Sequence, residues 1–176
     1  DLATLPDRFW KWRMRGAGLF FARTVTDIDQ YDLILATDMM DLTDFIALAG
    51  QKCPPVWFYF HENQLSYPLA TGEKRDFHLG FTNIISALAA ERVFFNSHYH
   101  MDAFFSHARA LVKKMPDFSP RDAIDCIEDK SQVIYPGCRF ETGRITPADS
   151  DSRRPLIIWN HRWEHDKNPD AFFQAL

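Results

Sequence analysis

VWFYFHENQLSYP, residues 56–68, joins five consecutive apolar or aromatic residues directly to His61, Glu62 and Asn63, and it ends at Pro68. The apolar run is shorter than a typical helix, and its hydrophobicity is continuous rather than alternating. Continuous hydrophobicity is typical of a strand that is covered on both faces, as in a parallel sheet. The stretch therefore predicts a buried strand that leads into a polar loop.

Other short apolar runs have the same character, and polar or turn residues follow each of them. They are YDLILAT (31–37), RVFFN (92–96), SQVIY (131–135) and PLIIWN (155–160). Because each run is too short for a helix and continuously apolar, each predicts one further buried strand.

Helix patterns separate several of these runs. Apolar residues recur at helical spacing over 81–90 and 98–112, and the second pattern follows Ser97, a favoured N-cap residue. SPRD (119–122) and NP (168–169) resemble helix starts, with Ser or Asn as the N-cap and Pro in the first turn. Strands that alternate with helices predict an α/β fold, a Rossmann-like parallel sheet with helices on both faces.

Polar residues follow the predicted strands at the edge where such sheets bind ligands. In open parallel sheets, ligands lie beyond the carboxyl ends of the strands. His61 to Asn63 follow one strand, and Thr37 and Asp38 follow another. This position predicts that His61 is catalytic, as a general base or as a hydrogen-bond partner of a substrate hydroxyl, and that Glu62 and Asn63 bind substrate. An ordinary polar turn is the alternative interpretation.

The overall composition narrows the class of protein. A net charge of −4 and an isoelectric point near 6.0 are not typical of nucleic-acid-binding or membrane proteins. Three cysteines without C-x-x-C spacing favour a reducing compartment over a disulfide framework or a structural zinc site. No apolar run approaches the roughly 18 residues of a membrane-spanning helix. We therefore expect a cytoplasmic protein with no membrane partner.

A composition change divides the chain. Residues 139–154 carry many charges and few apolar side chains, which is typical of a linker. The linker separates a predicted domain, residues 1–138, from a fresh strand and helix start in 155–176. Because the chain begins with Asp1 rather than Met and ends inside an apolar helix pattern, we expect it to be an excerpt of a longer protein.

Two cations follow the last predicted strand. Arg162 and Lys167 precede the helix start at 168–169, where fixed positive charge and the helix dipole together favour an anion. Such a site would stabilise a diphosphate leaving group, and a solvated turn is the alternative interpretation. HRWEH (161–165) also matches the H-x-x-E-H pattern of certain zinc proteases. That pattern needs a helix and a third ligand, neither of which the sequence supplies, so we expect no metal.

A basic segment lies near the start of the chain. RFWKWRMR (8–15) interleaves Arg8, Lys11, Arg13 and Arg15 with three aromatic residues. Cations contact phosphates and aromatic rings stack on bases, so the segment predicts binding to single-stranded or loop RNA. An amphipathic segment with core tryptophans and solvated cations is the competing interpretation.

Five collinear segments that span nearly the whole chain together resemble the tRNA-queuosine mannosyltransferases, which are similar to family 4 glycosyltransferases. The segments are LATLPDRFWKWRMRG, DLILATDMMDLTDFIAL, YFHENQLSYP, AAERVFFNSHYHMDAF and PLIIWNHRWEHDKNPDAFFQAL. The resemblance implies a GT-B architecture, of which this chain would be the N-terminal half. Residues 1–138 would be the acceptor-side domain without its first strand, 139–154 the linker, and 155–176 the first strand and helix of the donor domain.

The same resemblance implies retaining transfer of mannose from GDP-mannose to queuosine at the wobble position of a tRNA. Partners would be a tRNA carrying queuosine and a sugar nucleotide. No cofactor or catalytic metal is implied, because Arg162 and Lys167 stand where related enzymes place the basic pair that neutralises the diphosphate. His61 stands where those enzymes often place a polar residue near the acceptor and the reacting sugar.

Three expectations limit the resemblance. The donor-domain acidic pair is absent, so the excerpt alone is expected to be inactive. A different sugar donor or a non-tRNA acceptor is one alternative, and a non-catalytic Rossmann-like binding module is another.

Overall fold

The computed structural model describes residues 2–6, 8–139 and 157–176. The chain forms two compact units. The first contains Asp1–Tyr67 and Arg75–Tyr135, and the second contains Pro68–Lys74 and Pro136–Leu176. The predicted linker lies outside the described residues except for Arg139. The predicted domain limits therefore stay predictions.

The first unit is built on a four-stranded sheet in which every neighbouring pair of strands is parallel. The strands are β1 (Ile34–Thr37), β2 (Val56–Phe60), β3 (Arg92–Phe95) and β4 (Ser131–Val133), in the spatial order β1-β2-β3-β4. Each strand lies inside an apolar run that the sequence singled out. The predicted α/β class with a Rossmann-like parallel sheet is confirmed.

Six α-helices are present in the described residues. They are α1 (Trp10–Thr24), α2 (Leu42–Ala49), α3 (Phe77–Ala89), α4 (His98–Val112), α5 (Arg121–Asp129) and α6 (Pro169–Gln174). The helix patterns over 81–90 and 98–112 are confirmed as α3 and α4. Ser97 caps α4 as predicted, because its hydroxyl accepts the backbone N–H of His100 at 3.2 Å.

Two predicted helix starts differ in detail from the structure. α5 begins at Arg121 with Pro120 at the N-cap position, and the Ser119 hydroxyl donates to a carbonyl of α4 instead of capping α5. The prediction of Ser119 as a cap was wrong because the preceding helix competes for its hydroxyl. α6 begins at Pro169 as predicted, but Asn168 adopts a left-handed backbone and its side chain makes no capping bond.

The two faces of the sheet are covered differently. Phe58, Phe60 and Phe95 are completely buried in the main core, together with Phe104 of α4. Side chains alternate between faces along a strand, so Trp57 belongs to the opposite face. There Trp57 is 38% exposed and Leu35 of β1 is 65% exposed. Within the described residues, helices therefore bury one face of the sheet more completely than the other.

Helix α1 crosses α2 at a glycine. Gly18 is buried, and a Cβ atom at this position would lie 2.9 Å from the carbonyl oxygen of Asp41 and 2.9 Å from the backbone nitrogen of Phe45. The two helices can approach this closely only because Gly18 has no side chain.

The second unit differs from the expectation of a fifth strand at 155–160. Residues 157–160 adopt no strand structure, and 155–156 lie outside the described residues. Trp159 instead packs against Phe172 of α6, with 4.8 Å between the ring centroids. Across the described part of both units, no helix has the length and apolar character needed to cross a bilayer.

Candidate functional site

Three parallel strands deliver polar residues to one edge of the sheet in the first unit. Asp38 follows β1, His61 follows β2 and Asn96 follows β3. The backbone N–H of His61 donates to Asp38 Oδ1 at 2.9 Å, and Asn96 Nδ2 donates to the His61 carbonyl at 2.7 Å. The loop after β2 is thereby held from both neighbouring strands.

Asp38 and His61 form a pair with contrasting exposure. Asp38 is only 1% exposed, whereas the His61 side chain is 65% exposed, and His61 Nδ1 lies 3.6 Å from Asp38 Oδ1. Burial raises the pKa of the Asp38 carboxyl above its ordinary value, and the hydrogen bond from the His61 backbone partly opposes that rise. The site therefore places a buried carboxyl group behind an imidazole that solvent and ligands can reach.

Asn83 of α3 ties this pair to the loop behind it. The side chain is completely buried, and its Nδ2 donates to the Asp38 carbonyl at 3.4 Å. Its Oδ1 accepts the backbone N–H of Gln64 at 2.8 Å. One amide therefore fixes the end of β1 relative to residues 61–67, which we call the motif loop.

Asn63 is occupied inside the motif loop. Its Oδ1 accepts the backbone N–H groups of Leu65 (3.0 Å) and Ser66 (2.8 Å), and its Nδ2 donates to the Ser66 hydroxyl at 2.8 Å. The residue is buried, so these bonds satisfy groups that water does not reach. The structure gives Asn63 a role in loop conformation, and substrate binding by Asn63 stays a prediction. Glu62, the other predicted substrate ligand, accepts a hydrogen bond from Gln64 Nε2 at 3.3 Å.

Asn63→Ala should lower the free energy of local unfolding of the motif loop relative to the parent. The change leaves two backbone N–H groups without their acceptor, at a cost of about 1–3 kcal/mol each when they stay buried. Hydrogen exchange of the Leu65 and Ser66 amides measures the effect, and both should exchange faster. Asn63→Asp is the control, because its oxygens still accept both bonds. Equal protection in the alanine variant and the parent would contradict this role.

His100 is a neighbour of the site that the sequence pattern did not identify. It is buried, its Nδ1 lies 2.9 Å from Asn96 Oδ1, and its Nε2 has no hydrogen-bond partner in the described residues. Burial, and secondly the charge of His61, lowers the pKa of His100. Its position four residues after Asn96 is the one sequence signal that connects it with the edge.

The basic segment lies on and before α1, and its cations differ in their partners. Arg15 forms ion pairs with Asp41 and, at 3.7 Å, with Asp44. Arg13 donates to the Arg8 carbonyl at 2.9 Å, and Lys11 Nζ lies 5.6 Å from the centre of the Trp10 ring. RNA binding by Arg8, Lys11, Arg13 and Arg15 stays a prediction, and the charge of Arg15 is already balanced by carboxylates of α2 and its cap.

In the second unit, both predicted diphosphate ligands have carboxylate partners. Arg162 Nη1 lies 3.0 Å from Glu164 Oε1, and Lys167 Nζ lies 2.7 Å from Asp166 Oδ2. Residues 161–164 are not helical, which removes the geometry of a helical zinc motif. No group of three side chains suited to a metal ion occurs in the described ranges.

The fold and the candidate site define a Rossmann-like α/β domain with polar side chains at the carboxyl ends of its strands. Residues 1–138 match the sequence model of the family described as tRNA-queuosine alpha-mannosyltransferase N-terminal. The chain is also 34% identical, over 186 aligned positions, to a Drosophila melanogaster protein named tRNA-queuosine alpha-mannosyltransferase. The chain belongs to the tRNA-queuosine alpha-mannosyltransferase family, which confirms the resemblance.

The extent of this match differs between the two proteins. The alignment covers 100% of this chain and 49% of the Drosophila melanogaster relative, so the chain spans about half the length of that relative. No solved structure matches the chain.

Proposed function

We propose that the complete protein is a retaining glycosyltransferase that transfers mannose from GDP-mannose to queuosine at the wobble position of a tRNA. Membership of the family supports the reaction class. The accessible imidazole of His61 above buried Asp38, at the sheet edge where ligands bind, is the observation that carries the assignment of the site.

His61 hydrogen-bonds a hydroxyl of the reacting substrates in this proposal. As the new C–O bond forms and the bond from mannose to the diphosphate breaks, the attacking hydroxyl gives its proton to the imidazole of His61 and GDP departs. Asp38 holds the His61 backbone, and its carboxylate, 3.6 Å from the ring nitrogen Nδ1, stabilises the positive charge that develops on the ring. Asn96 and Asn83 hold the backbone that carries the imidazole. Asn96 and Asn83 are positioning residues, because they act through the loop and touch no substrate.

Arg162 and Lys167 neutralise the departing diphosphate, so the reaction needs neither a metal nor another cofactor. Arg162 is exposed and pairs with Glu164, which is also partly exposed. Such a pair contributes only about 0–1 kcal/mol, so exchanging the carboxylate for a diphosphate costs little. Arg8, Lys11 and Arg13 remain the cations of the basic segment that contact tRNA. The three free cysteines, Cys53, Cys126 and Cys138, support a cytoplasmic location, where thiols stay reduced.

Nucleoside mass spectrometry tests the reaction. We expect queuosine from tRNA treated with the complete protein and GDP-mannose to gain the mass of one hexose, and the gain to persist in the presence of a chelator. If queuosine gains mass only with another sugar nucleotide, that sugar nucleotide and not GDP-mannose is the donor. No gain in any tRNA nucleoside with any common sugar nucleotide would contradict the proposed acceptor.

A further inference from the structure

A concave feature lies next to the motif loop, within the first unit. It is a cavity of about 320 Å³ between the motif loop, the start of α3 and the C-terminal half of α4. Leu65, Gly80 and Leu111 contribute apolar surface, whereas Arg75, His107 and Lys114 bring basic groups. An apolar floor with cations around it suits a ligand that combines a flat apolar group with negative charge.

The two permanent cations of the cavity, Arg75 and Lys114, can interact with a bound anion. Arg75 donates to the carbonyl oxygens of Gln64 (2.8 Å) and Tyr67 (2.9 Å), so it is held in place by neutral groups. Lys114 and Arg75 form no ion pair in the part of the chain that the structure describes. Asp76 is the carboxylate that lines the cavity, and its Oδ1 accepts the backbone N–H of His78 as the cap of α3. Two permanent positive charges therefore face one negative charge that is already hydrogen-bonded.

The geometry of His107 adds a further polar group. Its Nδ1 lies 2.8 Å from the carbonyl oxygen of Ala103, so Nδ1 carries the hydrogen of that bond. Nε2 is consequently the nitrogen that remains to bind a ligand, as an acceptor in the neutral ring and as a donor in the protonated ring.

An aromatic side chain stands beside these cations. Phe77 lines the cavity and is 56% exposed, although burying a phenyl ring is favourable. Its ring lies 4.1 Å from the ring of His78, with 33° between the planes. An exposed ring next to cations that outnumber the nearby carboxylates is the combination with which proteins bind unpaired nucleotides, by stacking on the base and neutralising the phosphate.

We propose that this cavity binds an unpaired nucleotide of the RNA acceptor next to the one that reacts, with the base against Phe77 and the phosphate at Lys114. This inference rests on the proposed function and adds a contact to it. Gln64 lines the cavity and lies three residues after His61 in the same loop, so the two Cα atoms are at most about 11 Å apart. Neighbouring nucleotides of one strand can therefore occupy the cavity and the reacting edge together.

Lys114→Glu tests the cavity in the complete protein, and Lys113→Glu is its matched control. Lys113 is the exposed neighbour on the same helix end but does not line the cavity. We expect Lys114→Glu to weaken binding of queuosine-containing tRNA, measured by filter retention, about tenfold and to flatten its salt dependence. Lys113→Glu should change affinity less than twofold. The KM for GDP-mannose should stay unchanged in both variants.

Phe77→Ala is the second test variant in the same filter-retention assay. It should weaken tRNA binding, because loss of one stacked base costs about 1–3 kcal/mol of binding free energy. Equal weakening by Lys113→Glu and Lys114→Glu, or no weakening by Lys114→Glu and Phe77→Ala, would overturn the inference. Filter retention measures binding without transfer, so it tests RNA binding by the cavity even if the parent transfers no sugar to tRNA. Conversely, a parent that transfers the sugar, together with variants that all bind tRNA as the parent does, would leave the proposed function intact and overturn the proposed role of the cavity.

Discussion

Asp38→Asn in the complete protein should lower the transfer rate about 100-fold while the protein stays folded, because neutralising the buried carboxylate removes the charge that supports His61. The amide oxygen of asparagine can still accept the backbone N–H of His61. The measurement is the initial rate of hexose transfer to queuosine-containing tRNA at saturating substrates. Asp102→Asn, which removes an exposed charge on α4, is the control and should leave the rate unchanged.

The same variant has a pH signature in stability. Because burial raises the pKa of Asp38 above 3.8, the native state holds its proton more tightly than the unfolded state. In the parent, this group's contribution to stability therefore declines as pH rises above that value through the folded-state pKa. Asp38→Asn lacks this decline, so its stability relative to the parent should improve as pH rises. A constant difference across the acidic range would contradict the raised pKa.

Gly18→Ala should destabilise the contact of α1 with α2 by about 1–3 kcal/mol. The new methyl group would lie 2.9 Å from backbone atoms of Asp41 and Phe45, and backbone cannot move away as a side-chain end can. The gain in helix propensity, up to about 1 kcal/mol, opposes this cost without removing it. Hydrogen exchange of amides in both helices reports the change, and exchange should become faster.

Gly16→Ala is the matched control in the same helix. Nothing lies within 4 Å of a Cβ atom at Gly16, which is exposed. The substitution should stabilise α1 by up to about 1 kcal/mol through propensity alone. If both variants slow exchange, or both accelerate it, the close helix crossing at Gly18 is not the reason for the glycine there.

Much of the first unit was predictable from local patterns. The continuous apolar runs marked all four strands, and helical spacing marked α3 and α4, because burial against a sheet imposes both periodicities. The start of α5 was not predictable, because the Ser119 hydroxyl has a competing acceptor in α4 that only the tertiary structure supplies. The exposure of Leu35 depends on what covers the second face of the sheet, which a strand's own sequence does not specify.

The candidate site was predictable in position but not in detail. The rule that ligands lie beyond strand ends placed His61 and Asp38 at one edge, yet their pairing follows from the register of Thr37 with Tyr59. The support from Asn83 comes from a helix distant in sequence. The ion pair of Arg15 with Asp41 likewise joins residues 26 positions apart. Contacts of this kind depend on packing rather than on periodicity.

The central claim is that Asp38 and His61 act as one unit in transfer. A double-mutant cycle of Asp38→Asn, His61→Ala and their combination, read as initial rates of hexose transfer to queuosine-containing tRNA, tests it directly. We predict that the double variant is no slower than the slower single variant, because removing either residue already removes the unit. Losses that multiply in the double variant, or a His61→Ala protein as fast as the parent, would contradict the claim.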